Sequence, residues 1–373
     1  MRGLTVEGAS DANLSPNLSN AESSINVIYP TATGFGVQNI DASAAHIYIA
    51  IRRGPMKTPT TGTSVLRFDS IVGNGVWTEI STNGRLGNSV NGLDAVFTKS
   101  RAAADNWTLT PRLTGFSPTF AVAASLSTNL TDAESVKTGG VRGGAAASST
   151  NLQAAAIATG SAISYSLGRA PGFFDVVCYT GTGSAQTISH NLGVAPELII
   201  EKCRNNLSAA QGWNVYAASQ GATKAAKLNT TAAFTSQTVW NNTAPTASVF
   251  SINGGDHESG DTYVAYLFAT VAGVSKVGSY TGTGTTNQIN CGFTGGARFV
   301  LIKRTDSTGD WYVWDSARGI VAANDPYLLL NSTAAEVTGT DYVDTYSLGF
   351  EISSTAPAAI NANGGTFIFL AIA

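Results

Sequence analysis

Tyr179-Thr180-Gly181-Thr182-Gly183 and Tyr280-Thr281-Gly282-Thr283-Gly284 are one five-residue phrase written twice, and the sequence around each copy repeats with it. Self-similarity has to be resolved before any other reading, because each copy is one folding unit and a missed period misassigns the fold. Downstream of the two phrases, Leu198-Ile199-Ile200-Glu201-Lys202 answers Phe299-Val300-Leu301-Ile302-Lys303, and Trp213-Asn214-Val215-Tyr216 answers Trp311-Tyr312-Val313-Trp314. Leu228-Asn229-Thr230-Thr231-Ala232-Ala233 then answers Leu330-Asn331-Ser332-Thr333-Ala334-Ala335. Each block ends on a β-rich run, Thr262-Tyr263-Val264-Ala265-Tyr266-Leu267-Phe268 or Thr366-Phe367-Ile368-Phe369-Leu370. These matches set two units, 172–273 and 274–373.

Upstream, the same order survives in a more divergent unit over 64–171. Ala95-Val96-Phe97-Thr98-Lys99 supplies the run ending in Lys, Asn106-Trp107-Thr108-Leu109 the Trp segment, and Leu126 to Glu134 the Leu-Asn-Thr segment. Ile163-Ser164-Tyr165-Ser166-Leu167 stands in for the closing run. Residues 1–55 read as the C-terminal half of a further unit, closing on His46-Ile47-Tyr48-Ile49-Ala50-Ile51, with 56–63 as linker. Half a β-unit leaves open strand edges. Either its other half lies on another chain, or the chain is a late start or cleavage product; docking on a neighbour is favoured, which makes Ile47, Tyr48 and Ile49 the candidate oligomer contacts.

Within a unit the runs are short, β-branched or aromatic, and bounded by Gly, Asn, Asp and Pro. The expected fold is all-β, a tandem array of β-sandwich, jelly-roll-like units of about 100 residues each. The units are expected to lie in a row, each touching its neighbours. Short helices are expected only around 221–227 or 132–136. The Gly-rich phrase reads as a hairpin turn. A phosphate loop would need a following Lys-Ser/Thr and a helix, whereas Gly183 precedes the strand-like Ser184-Ala185-Gln186-Thr187-Ile188.

The bulk numbers agree. The chain has 373 residues, enough for roughly two to four domains, with 43% hydrophobic residues but only 12% charged. Forty glycines suit short strands and tight turns. A net charge of −3, with no basic cluster beyond Arg52-Arg53, argues against nucleic-acid partners. No apolar run nears the roughly 18 residues of a membrane helix, and Met1 to Glu7 lacks the apolar core of a signal peptide. Cys178, Cys203 and Cys291 are an odd set that reads as free buried thiols.

His46, His190 and His257 share no metal-ligand spacing and read as surface or turn residues. Asp256, Glu258 and Asp261 around His257 are a solvated acidic loop before they are a Ca²⁺ site, since ligand spacing is absent. No cofactor, metal or catalytic set is expected, although dispersed catalytic groups leave no sequence signature. Trp107, Trp213 and Trp311 recur in every full unit, which favours core packing. The competing reading is a sugar-stacking platform. In Trp311-Tyr312-Val313-Trp314-Asp315 the aromatics fall on both faces of a strand, so one is expected outward. Trp311, Tyr312, Trp314, Asp315 and Trp213 are therefore the candidate glycan contacts.

The repeated strings resemble a domain found in tail-fibre-like proteins of marine bacteriophages. The resemblance rests on the Tyr-Thr-Gly-Thr-Gly phrase with Ile188-Ser189-His190-Asn191-Leu192-Gly193-Val194-Ala195-Pro196-Glu197-Leu198, on Asp315-Ser316-Ala317-Arg318-Gly319, and on the ending Ile360 to Ala371. It covers 172–373 well, 64–171 loosely and 1–55 in part. It implies a non-enzymatic structural component of the virion, a tail fibre or other surface appendage. Its expected partners are further copies, other virion proteins and host-surface polysaccharide. A capsid-surface decoration protein and a polysaccharide depolymerase are the alternatives.

Overall fold

The computed structural model describes residues 57–73, 94–111, 124–136, 160–207 and 211–373, together with short strands at 11–13, 23–25, 28–30, 35–37, 78–80, 141–143 and 152–154. The half unit at 1–55, with Ile47, Tyr48, Ile49 and His46, lies outside the described residues apart from four three-residue strands. Everything else described is strand and turn, save a 3₁₀ turn at Gly62–Ser64 and one short helix at Ala358–Asn361. The protein is an all-β sandwich fold.

Three sheets share one strand order. In each, an opening strand (Leu66–Gly73, Phe174–Thr180 or Ser275–Thr281) pairs with the closing strand (Gly160–Leu167, Thr262–Phe268 or Thr366–Ile372). The closing strand pairs on its other side with the Lys strand (Ala95–Ser100, Leu198–Cys203 or Phe299–Arg304). The Lys strand then pairs with the Trp strand (Thr108–Pro111, Asn214–Ala217 or Trp311–Asp315). All pairings are antiparallel, and the register is common to all three: Lys99 faces Ile163, Lys202 faces Val264, and Lys303 faces Ile368.

A smaller sheet covers the outer face of the large one in the second and third units. In the second unit it is Gln186–Ser189 with Val249–Ile252, and in the third Asn287–Asn290, Gly349–Ile352 and Val343–Tyr346. These two large sheets therefore have two dry faces. Trp311, Val313 and Leu301 point into one core, while Tyr312, Trp314, Val300 and Ile302 point into another. The same alternation sends Leu198, Ile200 and Val215 one way and Ile199 and Tyr216 the other. Side chains alternate across a strand with period two, so an apolar run with no polar alternation marks a sheet covered on both sides. This corrects the expectation of an outward aromatic.

The inner core is shared. One continuous cluster joins Trp107, Tyr165, Trp213, Tyr266, Trp311 and Leu370 from all three units, leaving an apolar axial void of about 50 Å³. The units consequently do not lie in a row: the first contacts the third as well as the second. An open row would leave one matching surface unfilled at each end, whereas a head-to-tail contact whose rotation closes fills all of them.

Two smaller expectations also change. Lys224–Lys227 is a strand, because its pairing with Asn214 and Val215 outweighs its helix-compatible Ala and Lys content. The Gly-rich phrase is no hairpin, since it carries the chain from the large sheet across to the small one. A Cβ on Gly181 would lie 2.3 Å from the Glu258 carbonyl oxygen, and one on Gly282 2.3 Å from that of Ala362. Gly183 and Gly284 take φ of 71° and 69°, which favours glycine. The phrase is thus a tight crossing with no room for a side chain at Gly181 or Gly282.

Candidate functional site

The chemistry concentrated in this chain lies at the junctions between units, where three residue types recur in one geometry. Asn129 Oδ1 accepts from the Trp107 main-chain N–H at 3.1 Å, as Asn229 does from Trp213 at 3.0 Å and Asn331 from Trp311 at 2.9 Å. Each bond holds the Leu-Asn-Thr loop against its own unit's Trp strand. The loop then offers carbonyls to the next unit, and the indole N–H of that unit's Trp takes one. Trp213 Nε1 donates to Ser127 O at 3.0 Å and Leu130 O at 3.1 Å. Trp311 Nε1 donates to Lys227 O at 3.2 Å, and Trp107 Nε1 to Leu329 O at 2.7 Å. Second unit grips first, third grips second, first grips third.

The recurrent lysine makes the same grip. Lys202 Nζ reaches Thr131 O at 3.1 Å, Lys303 Nζ reaches Thr231 O at 2.8 Å, and Lys99 Nζ reaches Thr333 O at 3.0 Å. Desolvation pulls each of these ammonium groups down to a pKa of about 8. Burying a cation is costly unless its protons are hydrogen-bonded, and here the loop carbonyls accept them. Main-chain bonds complete the match: Glu134 N to Arg204 O at 2.6 Å, Phe234 N to Thr305 O at 3.0 Å, and Glu336 N to Arg101 O at 2.9 Å.

The three junctions differ at their rims. Arg101 pairs with Glu336 through two bonds of 2.8 Å, and Arg204 with Glu134 at 2.8 Å. Between second and third units the same positions hold Thr305 and Phe234, so no ion pair forms there. The third-to-first junction is the most polar. Tyr165 donates its hydroxyl to Asp315 Oδ2 at 2.7 Å, Arg318 binds the same carboxylate, and Arg318 Nη1 stands 3.4 Å from Glu336.

Trp213, Trp311, Tyr312, Trp314 and Asp315 are all buried, between 0% and 7% exposed. The structure brings Trp213 and Trp311 into the junctions, Tyr312 and Trp314 into the third unit's outer core, and Asp315 onto Tyr165. None presents a face to a sugar, so the platform reading is corrected: both sides of their strands are covered. The recurrence of Lys beside Trp was visible in the sequence, but its partner, a loop of a different unit, was not.

The histidines are also corrected. His190 and His257 are buried, not superficial. His257 Nδ1 lies 3.0 Å from Asn253 O and its Nε2 3.4 Å from Glu201 Oε2, so both ring nitrogens face acceptors. Glu201 holds the imidazole pKa above its ordinary value against the opposing effect of burial. The Glu201 carboxyl, also accepting from Asn214 Nδ2 at 2.7 Å, is held below the usual range by His257 despite its own burial. In the third unit Ile302 and Asn361 stand at the corresponding positions. The pair is sealed, with both side chains at 0% exposure, so a substrate has no route to it. Asp261 is likewise buried, accepting from the Leu207 N–H at 2.8 Å rather than lining a solvated loop. Among the described residues no group of three His, Cys, Asp or Glu is placed to hold a metal. Cys178, Cys203 and Cys291 are free thiols.

A family model described as a domain of unknown function, DUF7483, matches residues 76–373. No curated protein and no solved structure matches the chain.

Proposed function

The chain belongs to the DUF7483 family of domains of unknown function, and we propose that it is a non-enzymatic structural protein of a bacteriophage particle, a tail fibre or other surface appendage. The observation that carries the structural part is the closed grip of three units. Trp107, Trp213, Trp311 and the three buried lysines are spent on holding the units to one another, while Tyr312 and Trp314 fill the third unit's outer core. Low charge and two-sided burial of the second and third units' large sheets suit a rigid, protease-resistant body. The virion part rests on the resemblance of the repeated strings to tail-fibre-like proteins. In this reading other virion proteins, and further copies of the chain, meet the outer faces, because the inner faces are already filled. Glycan contact is not part of the proposal, since the residues that suggested it are buried.

Labelling purified particles with an antibody to this protein and imaging them by electron microscopy tests the reading. Label on the tail or on projecting fibres is expected. Label spread over the shell would replace it with the decoration-protein reading, and absence from washed particles would refute both.

A further inference from the structure

One junction contains a space that the other two fill. Between the second and third units a cavity of about 150 Å³ opens, floored by Leu301, Trp311, Ile368 and Leu370, with Leu198 and Ala217 opposite and Glu197 and Lys303 also in its wall. Ser219 and Ser279 stand exposed at its mouth. The common register says what occupies this place elsewhere. Leu370 corresponds to Tyr165 and Tyr266 on the closing strands, Val277 to Phe68 and Val176 on the opening strands, and Ala217 to Asp315 on the Trp strand.

At the third-to-first junction the Tyr165 ring lies 6.0 Å from Trp107 in a stacked arrangement, meets Phe299 edge-on at 5.8 Å, and gives its hydroxyl to Asp315. At the first-to-second junction the Tyr266 ring stacks on Trp213 at 6.4 Å and reaches Phe97 at 6.4 Å. Both tyrosines are buried. The second-to-third junction keeps the Trp311 floor but puts leucine at 370 where both other junctions carry a tyrosine ring. The junction is therefore shaped for a ring that the chain does not supply.

We propose that this cavity binds a single-ring aromatic molecule of the phenol class. The guest's ring would lie over Trp311 and Leu370, as Tyr165 lies over Trp107, with its hydroxyl at the mouth beside Ser219 and Ser279. The size fits, since an apolar cavity of about 150 Å³ is enough to take up benzene. Offset stacking on an indole adds to the area buried, and a hydroxyl left at the polar mouth keeps its hydrogen bonds. The proposal stands independently of where in a particle the protein resides.

Soaking crystals of the full chain with 4-iodophenol locates the site directly. With the hydroxyl at the mouth, the para iodine points inward, so an anomalous iodine peak inside the cavity near Trp311 and Leu370 is expected, and its absence from this cavity at saturating iodophenol overturns the proposal. In solution, phenol should raise the unfolding temperature progressively with concentration, as any ligand of the native state must. Leu370→Tyr and Val277→Phe each restore the ring that another junction already carries. Both variants should abolish the phenol effect while unfolding at or above the wild-type temperature. Undiminished phenol stabilisation in either folded variant would show that the guest sits elsewhere. Should one variant fail to fold, the other and the anomalous peak still decide the matter.

Discussion

Replacing Trp213 by Phe tests whether the three units behave as one body. The change keeps an aromatic ring in the shared core but removes the indole N–H that serves Ser127 O and Leu130 O. Leaving buried carbonyls without their donor costs about 1–3 kcal/mol. The smaller ring in a fully buried site adds about 1 kcal/mol for lost packing. The total, about 2–4 kcal/mol, is a large fraction of the 5–15 kcal/mol typical of a folded domain. At roughly 2 °C per kcal/mol for a body of this size, the unfolding temperature should fall by about 4–8 °C. Scanning calorimetry reads this directly. Because one apolar cluster spans all three units, the wild type should give one main transition, and Trp213→Phe should move all of it. Trp107→Phe and Trp311→Phe, which remove the equivalent bonds to Leu329 O and Lys227 O, should move the same transition by similar amounts. Separate transitions, with only one of them moved by each variant, would refute the closed grip and restore three independent beads.

Gly181→Ala and Gly282→Ala should each destabilise by about 2–4 kcal/mol, since both place a methyl 2.3 Å from a carbonyl oxygen that belongs to backbone; a midpoint in urea unchanged in either variant would count against the tight crossing. The His257–Glu201 pair should make its largest contribution to stability in mildly acidic solution. His257 has its pKa raised, so its contribution is complete below about pH 6.5 and lost as pH climbs through the raised value. Glu201 has its pKa lowered, so its contribution is complete above about pH 4.3 and lost as pH falls through the lowered value. In denaturant titrations across pH 4–9, Glu201→Gln should flatten the decline on the alkaline side; an unchanged profile would show that the pair does not titrate on folding.

The recurring order of strands and the all-β class were legible in the chain because they depend on local chemistry. β-branched and aromatic runs, glycines that must adopt positive φ or touch backbone, and the recurrence of Lys and Trp in register are all properties of neighbouring residues. The recurrence of Trp213 and Trp311 already favoured core packing, but their partners in a different unit were not legible, and neither were the burial of His257 and the ring. Whether a strand is covered on one face or both depends on what packs against it, so Trp311-Tyr312-Val313-Trp314-Asp315 reads alike for an exposed platform and a doubly covered sheet. Closure depends on the rotation between successive units, which no single unit's sequence encodes. Only the tertiary structure could bring Thr333 to Lys99 and Leu329 to Trp107, and only it could show that leucine at 370 leaves empty the place tyrosine fills at 165 and 266.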